Sequence, residues 1–122
     1  LGVGKGDKVS LLMTNSPEYV IAYFACWKIG AVAGPVNSHL KSEELAFVLD
    51  NSEAVALITE QEFLKHLTPI RAELPHLRHV LTTDAETESS IHFGTAAALQ
   101  SDQLAEVALS ADDEAIIIYT SG

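Results

Sequence analysis

The sequence predicts an α/β fold in which helices flank a layered, mostly parallel sheet. Short apolar runs rich in β-branched residues recur along the chain, and such runs are typical of strands buried on both faces. They occupy residues 9–13, 31–36, 54–59, 79–83 and 115–119. Helical patterns separate them, and strands that alternate with helices favour a doubly wound layer. The composition, 48% hydrophobic and 20% charged over 122 residues, fits a globular chain of this class.

The first three of these elements form a βαβ unit. The strand at 9–13 is followed by an N-cap hydroxyl, a proline at the first helical position and an acid in the first turn, at Ser16, Pro17 and Glu18. Gly30 ends the helix, and the second strand follows at 31–36. Because the helix is apolar nearly all round, we expect it to be buried between layers.

The middle of the chain continues the alternation. Ser42 is predicted to cap a second helix whose apolar stripe lies at Leu45, Val48 and Leu49. After the strand at 54–59, helical spacing recurs on both sides of Pro69, and the strand at 79–83 follows.

The last forty residues are less regular until the chain end. Residues 84–90 are polar and acidic and predict a surface loop, 95–99 predict a short helix, and 101–113 predict a connector. The apolar run at 115–119 is predicted to be the fifth strand, buried on both faces.

Three residues suited to binding an anion follow this run: Thr120, Ser121 and Gly122. They would lie past the carboxyl end of a strand, where open α/β sheets place their ligands. Their hydroxyls and N–H groups can donate to phosphate, and glycine lets the backbone approach closely. Turns are rich in the same residue types, so an ordinary strand-ending turn is the alternative.

Charge and hydropathy exclude several classes of function. The net charge of −10, from 17 acidic and 7 basic residues, argues against nucleic acid as a partner, and an acidic surface is a poor match to anionic lipid. Residues 19–36 are nearly all apolar, but a charge, two glycines and a proline interrupt them. We therefore predict no transmembrane span.

The cysteine and histidine content predicts no disulfide and no metal site. Cys26 is the only cysteine and is expected to be a small buried hydrophobe, since it lies in an apolar helical run. His76 and His79 are the only close pair of histidines, and no cysteine or carboxylate cluster lies near them. Without a signal-peptide pattern or disulfides, we expect a cytoplasmic protein.

Two further patterns are interpreted as turns. Asp112 and Asp113 resemble a catalytic carboxylate pair, but they precede the terminal strand and would lie at the wrong end of the sheet. The three glycines within residues 2–6 precede the first strand, whereas a dinucleotide-binding loop must follow one.

Three blocks, at residues 6–37, 41–59 and 112–122, together resemble the amino-terminal part of the adenylate-forming (AMP-binding) superfamily. This superfamily includes the acyl-CoA synthetases, the luciferases and the adenylation domains of peptide synthetases. The most specific elements are KIGA at 28–31, PVN at 35–37 and YTSG at 119–122. In the family the last tetrad opens a Ser/Thr/Gly-rich loop that cradles the phosphates of ATP. The resemblance therefore assigns cofactor binding to Thr120, Ser121 and Gly122.

The resemblance implies an ATP-dependent acyl-CoA ligase. Such an enzyme activates a carboxylic acid as an acyl-adenylate and transfers the acyl group to CoA, with Mg²⁺ offsetting phosphate charge. Asn37 and the Glu43-Glu44-Leu45 run look more like a fatty or other acyl-CoA ligase than a peptide-synthetase adenylation domain, which is the alternative.

The resemblance also implies that residues 1–122 are a partial amino-terminal AMP-binding domain, incomplete at the carboxyl end. The rest of the phosphate loop, the carboxylates for Mg²⁺ and ribose, and a catalytic lysine would lie downstream. We thus expect no catalytic residue and no metal ligand in this chain, and we expect it to be inactive alone. A non-catalytic α/β scaffold module is the remaining alternative.

Overall fold

The sheet of the protein has five parallel strands. The computed structural model describes residues 1–120. The strands are β1 (Lys8–Leu12), β2 (Val32–Pro35), β3 (Ala56–Thr59), β4 (His79–Thr82) and β5 (Ile91–His92). They lie in the order β2-β1-β3-β4-β5, and every neighbouring pair is parallel. The predicted α/β class with a parallel sheet is confirmed.

Within residues 1–120, four helices connect or follow the strands. They are α1 (Pro17–Lys28), α2 (Ser42–Asn51), α3 (Leu64–Leu67) and α4 (Phe93–Ala98), and short 3-10 turns at Gln61–Phe63 and Thr68–Glu73 flank α3. The predicted start of α1 is confirmed, because the Ser16 hydroxyl accepts a hydrogen bond from the Tyr19 backbone N–H at 3.2 Å. α2 begins one residue earlier than predicted, so Lys41 occupies the cap position and its N–H donates to Glu44 Oε2 at 3.0 Å.

The helices cover both faces of the sheet. Side chains alternate along each strand, so Leu11 and Ile58 face the α1 side whereas Leu12 and Leu57 face the α2 and α3 side. All four of these side chains are buried. Each fully buried Leu or Ile contributes roughly 1.5–3 kcal/mol relative to exposure, so this two-sided burial stabilises the platform on which the terminal residues rest.

The prediction that α1 is buried all round is wrong. Ala22 and Cys26 face the sheet and are buried, but Val20, Ile21 and Phe24 are 55%, 53% and 58% exposed. The sheet covers one side of α1 only, and nothing in residues 1–120 covers the other. The hydropathy of the helix therefore overstates its burial in this chain.

The prediction of a fifth strand at 115–119 buried on both faces is also wrong. The fifth strand is Ile91–His92, which the sequence pattern assigned to no element. The terminal segment, residues 115–120, forms one isolated parallel bridge between Ile116 and Ala33 of β2. Ile116 and Ile118 are 43% and 60% exposed, since within the described residues the segment pairs along one side only.

The apolar stretch at 19–36 is divided between a helix and a strand. α1 has 12 residues, and β2 follows after a turn at Gly30. Within residues 1–120, no helix has the length and hydropathy that crossing a bilayer requires.

Candidate functional site

The terminal segment carries Thr120 to the carboxyl edge of the sheet. Two backbone hydrogen bonds of 3.0 Å, from Ala33 N–H to the Ala115 carbonyl and from Ile117 N–H to the Ala33 carbonyl, dock it beside β2. Because the pairing is parallel, the segment advances with β2, and Tyr119 and Thr120 lie level with the residues that follow that strand. This is the edge at which the sequence predicted Thr120 to lie.

A groove of about 500 Å³ opens at this edge. The residues after β2 form one wall, α2 forms another through Glu43 and Phe47, and Tyr119 and Thr120 form the third. Such a volume lies within the range of small-molecule sites. Thr120 is exposed at this groove, and its predicted partners in phosphate binding, Ser121 and Gly122, lie outside the described residues.

Two side chains hold the terminal segment at its two ends. Trp27 Nε1–H, in the last turn of α1, donates to the Ala115 carbonyl at 2.8 Å. The Tyr119 hydroxyl donates to Asn51 Oδ1, at the end of α2, at 2.7 Å. The Tyr119 ring also meets Phe47 edge to face, with ring centroids 6.3 Å apart.

Gly34 of β2 leaves room for this segment. A Cβ atom on Gly34 would lie 3.3 Å from Ile117 Cγ2, and 3.6 Å from both Ser10 Oγ and the Val9 carbonyl. A side chain here would press Ile117 away from β2. This contact gives a physical role to a glycine that the sequence pattern alone does not single out.

The carboxyl ends of the neighbouring strands are tied to one another by acidic side chains. Glu60 Oε1 accepts from the Thr14 backbone N–H at 3.0 Å and from the Thr14 hydroxyl at 2.7 Å. Asp84 Oδ1 accepts from the Gln61 N–H at 2.9 Å. These contacts join the carboxyl ends of β1, β3 and β4 near the point where the strand order reverses. The Thr14 and Gln61 groups that donate there are thus already hydrogen-bonded within the chain.

The acidic pair at 112–113 lies at the opposite end of the sheet, as predicted. Asp113 accepts hydrogen bonds from Lys5 Nζ and from the Ser110 N–H, both at 2.7 Å. The Lys5 hydrogen bond, followed by that of Ser110, holds the pKa of Asp113 below its ordinary value. Lys5 precedes β1 and Ser110 precedes the terminal segment, so Asp113 stabilises a turn at the amino edge of the sheet.

Cys26 is buried against the sheet, which confirms its predicted role as a small core residue. Burial raises the pKa of its thiol to about 11. A protonated, enclosed thiol is a poor nucleophile. Across residues 1–120, no three His, Cys, Asp or Glu side chains come together as a group that could hold a metal ion.

The sequence profile of the family described as "AMP-binding enzyme" matches residues 1–122. The chain belongs to the AMP-binding enzyme family. The resemblance stated from the three sequence blocks is thereby confirmed, and it extends along the whole chain.

Curated AMP-binding enzymes similar to this chain include CoA ligases. The crotonobetaine/carnitine–CoA ligase of Escherichia fergusonii is 38% identical over 127 aligned positions, which cover 100% of this chain and 25% of that protein. The ligase of the same name from Escherichia coli matches with the same identity and coverage. The chain thus spans about a quarter of the length of these relatives.

Solved AMP-binding enzymes share the fold. The anthranilate CoA ligase AuaEII, in complex with anthranoyl-AMP, superposes with a TM-score of 0.94 and 33% identity over 99% of this chain and 24% of its own. A long-chain-fatty-acid–CoA ligase from Archaeoglobus fulgidus superposes with a TM-score of 0.88 and 29% identity, over 99% of this chain and 24% of its own. The five-stranded platform is therefore the one found in CoA ligases of known structure.

Trp27, Phe47 and Asn51 were not identified from the sequence as site residues. Trp27 lies in the last turn of α1, and Asn51 is the last residue of α2. Their partners lie 88 and 68 residues away along the chain. No local pattern records such contacts.

Proposed function

We propose that residues 1–122 are the amino-terminal part of an ATP-dependent acyl-CoA ligase, incomplete at the carboxyl end. In this proposal Thr120, Ser121 and Gly122 open the loop that binds the phosphates of ATP. The observation that carries it is the parallel docking of the terminal segment on β2, with Thr120 at the carboxyl edge beside a groove of about 500 Å³. The family membership and the CoA ligases among the relatives support the reaction class.

The proposed reaction has two steps. A carboxylate oxygen attacks the α-phosphorus of ATP, giving an acyl-adenylate and releasing pyrophosphate. The thiol of CoA then attacks the acyl carbon, AMP leaves, and a thioester forms. Catalysis of this kind depends on positioning and on electrostatic stabilisation of the phosphates. Residues 1–122 would contribute to positioning, because they fix where the phosphate-binding loop starts.

The Mg²⁺ ion that such a reaction implies finds no set of ligands among the described residues. Glu60 and Asp84 are the carboxylates tied into the carboxyl edge, and each already accepts hydrogen bonds from the chain. The rest of residues 1–120 offers no metal-binding cluster either. We propose that the Mg²⁺ ligands belong to other parts of the enzyme.

For the substrate we propose a carboxylic acid of the fatty type, on the strength of Asn37 and the Glu43-Glu44-Leu45 run. Relatives named for crotonobetaine and carnitine, for anthranilate and for long-chain fatty acids all align over nearly the whole of this chain. Selection among acids is accordingly proposed to reside outside residues 1–122.

Incorporation of radiolabelled pyrophosphate into ATP tests the proposal. The isolated 122-residue chain should show no carboxylate-dependent exchange, because it holds only the first residues of the phosphate loop. A full-length protein that carries these residues should show exchange when a fatty acid is added. Exchange by the isolated chain would refute the proposed inactivity, and none by the full-length protein would refute the proposed activity.

The coding sequence after Gly122 tests the proposed extent of the domain. A reading frame that continues into a Thr/Gly-rich run ending in Lys-Gly supports the ligase. A later carrier domain with a serine that accepts phosphopantetheine would instead indicate a peptide-synthetase adenylation domain. A stop codon, or unrelated residues in place of the loop, would leave a non-catalytic scaffold module.

A further inference from the structure

We propose that Trp27 and Asn51 are positioning residues for ATP, which act by holding the terminal segment at both of its ends. Trp27 fixes the carbonyl of Ala115, and Asn51 fixes the hydroxyl of Tyr119. The inference rests on the proposed function, since it assumes that Thr120 begins the phosphate loop. It goes beyond that function by naming the residues that set the direction in which the loop leaves the sheet.

The terminal segment needs such support because its pairing with the sheet is slight. Only two backbone hydrogen bonds, both to Ala33, join it to β2 within the described residues. Ile116 and Ile118 are 43% and 60% exposed, so these two side chains add little apolar packing. A segment attached at Ala33 alone can pivot about that point.

The two side-chain contacts remove this freedom. The Ala115 carbonyl accepts from both the Ala33 N–H and Trp27 Nε1–H, so Trp27 reinforces the bridge itself. Residues 116 and 119 are about 10 Å apart in an extended chain, so the Tyr119 contact acts well beyond the bridge. α1 and α2 lie on opposite faces of the sheet, and the Tyr119 ring packs with the α2 side. The segment is therefore gripped from both faces, which fixes its direction as well as its place.

Both contacting side chains are themselves held in position. The Trp27 ring lies against Tyr23 and Phe24, with centroid distances of 5.3 and 5.4 Å, so its N–H is aimed by aromatic packing. Asn51 is the last residue of α2, and Phe47, one turn earlier on the same helix, contacts the Tyr119 ring. The hydrogen bond and the ring contact thus act on Tyr119 from a single rigid helix.

The test uses the full-length protein that carries these residues, with the pyrophosphate exchange assay. Asn51→Ala removes the acceptor, and Trp27→Phe removes the N–H donor but keeps an aromatic ring. Each is expected to raise the KM for ATP about tenfold, the effect of losing one hydrogen bond that positions a ligand group. The KM for the carboxylic acid should stay within about twofold of the wild-type value. The thermal midpoint of unfolding should stay within about two degrees of the wild type.

Two further variants separate positioning from a general structural effect. Asn51→Asp keeps an acceptor oxygen and should restore the KM for ATP toward the wild-type value. Tyr119→Phe should raise the KM for ATP in the wild-type background. It should add nothing in the Asn51→Ala background, since both changes remove the same hydrogen bond. Asp50→Ala, at an exposed position beside Asn51, is the matched control and should leave the KM unchanged.

The outcomes distinguish the two proposals. An active wild type whose KM for ATP is the same in Asn51→Ala and Trp27→Phe overturns the positioning role alone. Additive effects of Asn51→Ala and Tyr119→Phe overturn it as well. A wild-type protein without carboxylate-dependent exchange overturns the proposed function, and the positioning role with it.

Discussion

Replacement of Gly30 by alanine should destabilise the chain by about 2 kcal/mol, through two separable effects. Gly30 follows α1 with φ of +72°, in the left-handed region. A Cβ atom there would also lie 2.9 Å from Leu109 Cδ2 and 3.1 Å from Lys5 Cγ. The left-handed backbone costs a residue with a Cβ about 1–2 kcal/mol. Crowding adds less than it would in a core, because both neighbouring side chains are exposed and can move.

Two other glycines provide matched controls. Gly6 has φ of +82°, and a Cβ atom added there would meet nothing within 4 Å, so Gly6→Ala isolates the backbone effect at about 1 kcal/mol. Gly4 has neither a positive φ nor a close neighbour. Gly4→Ala should therefore leave the stability unchanged or raise it by up to about 1 kcal/mol, since alanine lowers the entropy of the unfolded chain.

Urea unfolding of the chain, followed by the fluorescence of Trp27, measures all three variants. Trp27 is the only tryptophan, so the signal has a single source. The expected order of unfolding free energies is Gly4→Ala highest, then Gly6→Ala, then Gly30→Ala. If Gly30→Ala unfolds at the same urea concentration as Gly4→Ala, the turn does not require a glycine. Gly30→Val should be less stable than Gly30→Ala, because a β-branched side chain is still less compatible with positive φ.

Three further changes probe the core, the brace at the amino edge and the open face of α1. Burial raises the pKa of Cys26 to about 11, so the folded chain keeps a proton that the unfolded chain loses above the ordinary thiol pKa. The stability present below that pKa should fall by on the order of 2 kcal/mol as the pH rises to 11; urea titrations of Cys26→Ala should lack this fall. Lys5 lowers the pKa of Asp113, so the stabilisation is present above the ordinary carboxyl pKa and lost as acid protonates Asp113. In Asp113→Asn the free energy of unfolding should fall less at acid pH than in the wild type. The same fall in both proteins would show that the contact of Asp113 with Lys5 contributes nothing. At high concentration the chain should self-associate through the exposed apolar face of α1. In sedimentation experiments Ile21→Lys should therefore associate less than the control variant Leu99→Lys. Equal association of the two variants would indicate that the chain associates through its sheet edges instead.

The order of strands and helices could be predicted because its signals are local. The Ser16 cap, Gly30 and the alternating faces of β1 and β3 each depend on neighbours within a few residues. The left-handed turn at Gly30, for instance, needs only a residue without a Cβ at the end of an apolar helix. Such features can be predicted from a few consecutive residues.

The errors share a different cause. The helix α1 and the final isoleucine run are apolar in sequence, but the burial of an apolar side chain depends on what packs against it. α1 has a sheet on one side only, and the terminal segment pairs with Ala33 alone. The contacts of Trp27 and Asn51 escaped prediction for the same reason, as they join residues that are 88 and 68 positions apart.

The chain builds its platform long before it reaches the end that is proposed to meet ATP. Every buried apolar side chain in the described residues lies at or before Leu81, so both faces of the core are filled by the first two thirds of the chain. Residues 115–120 then return past the whole sheet to the edge opposite β5. During synthesis, which proceeds from the amino end, this segment emerges after all the residues that fill the core. The position of Thr120 therefore depends on contacts to residues that lie 68 or more positions earlier in the chain, at Trp27, Ala33 and Asn51.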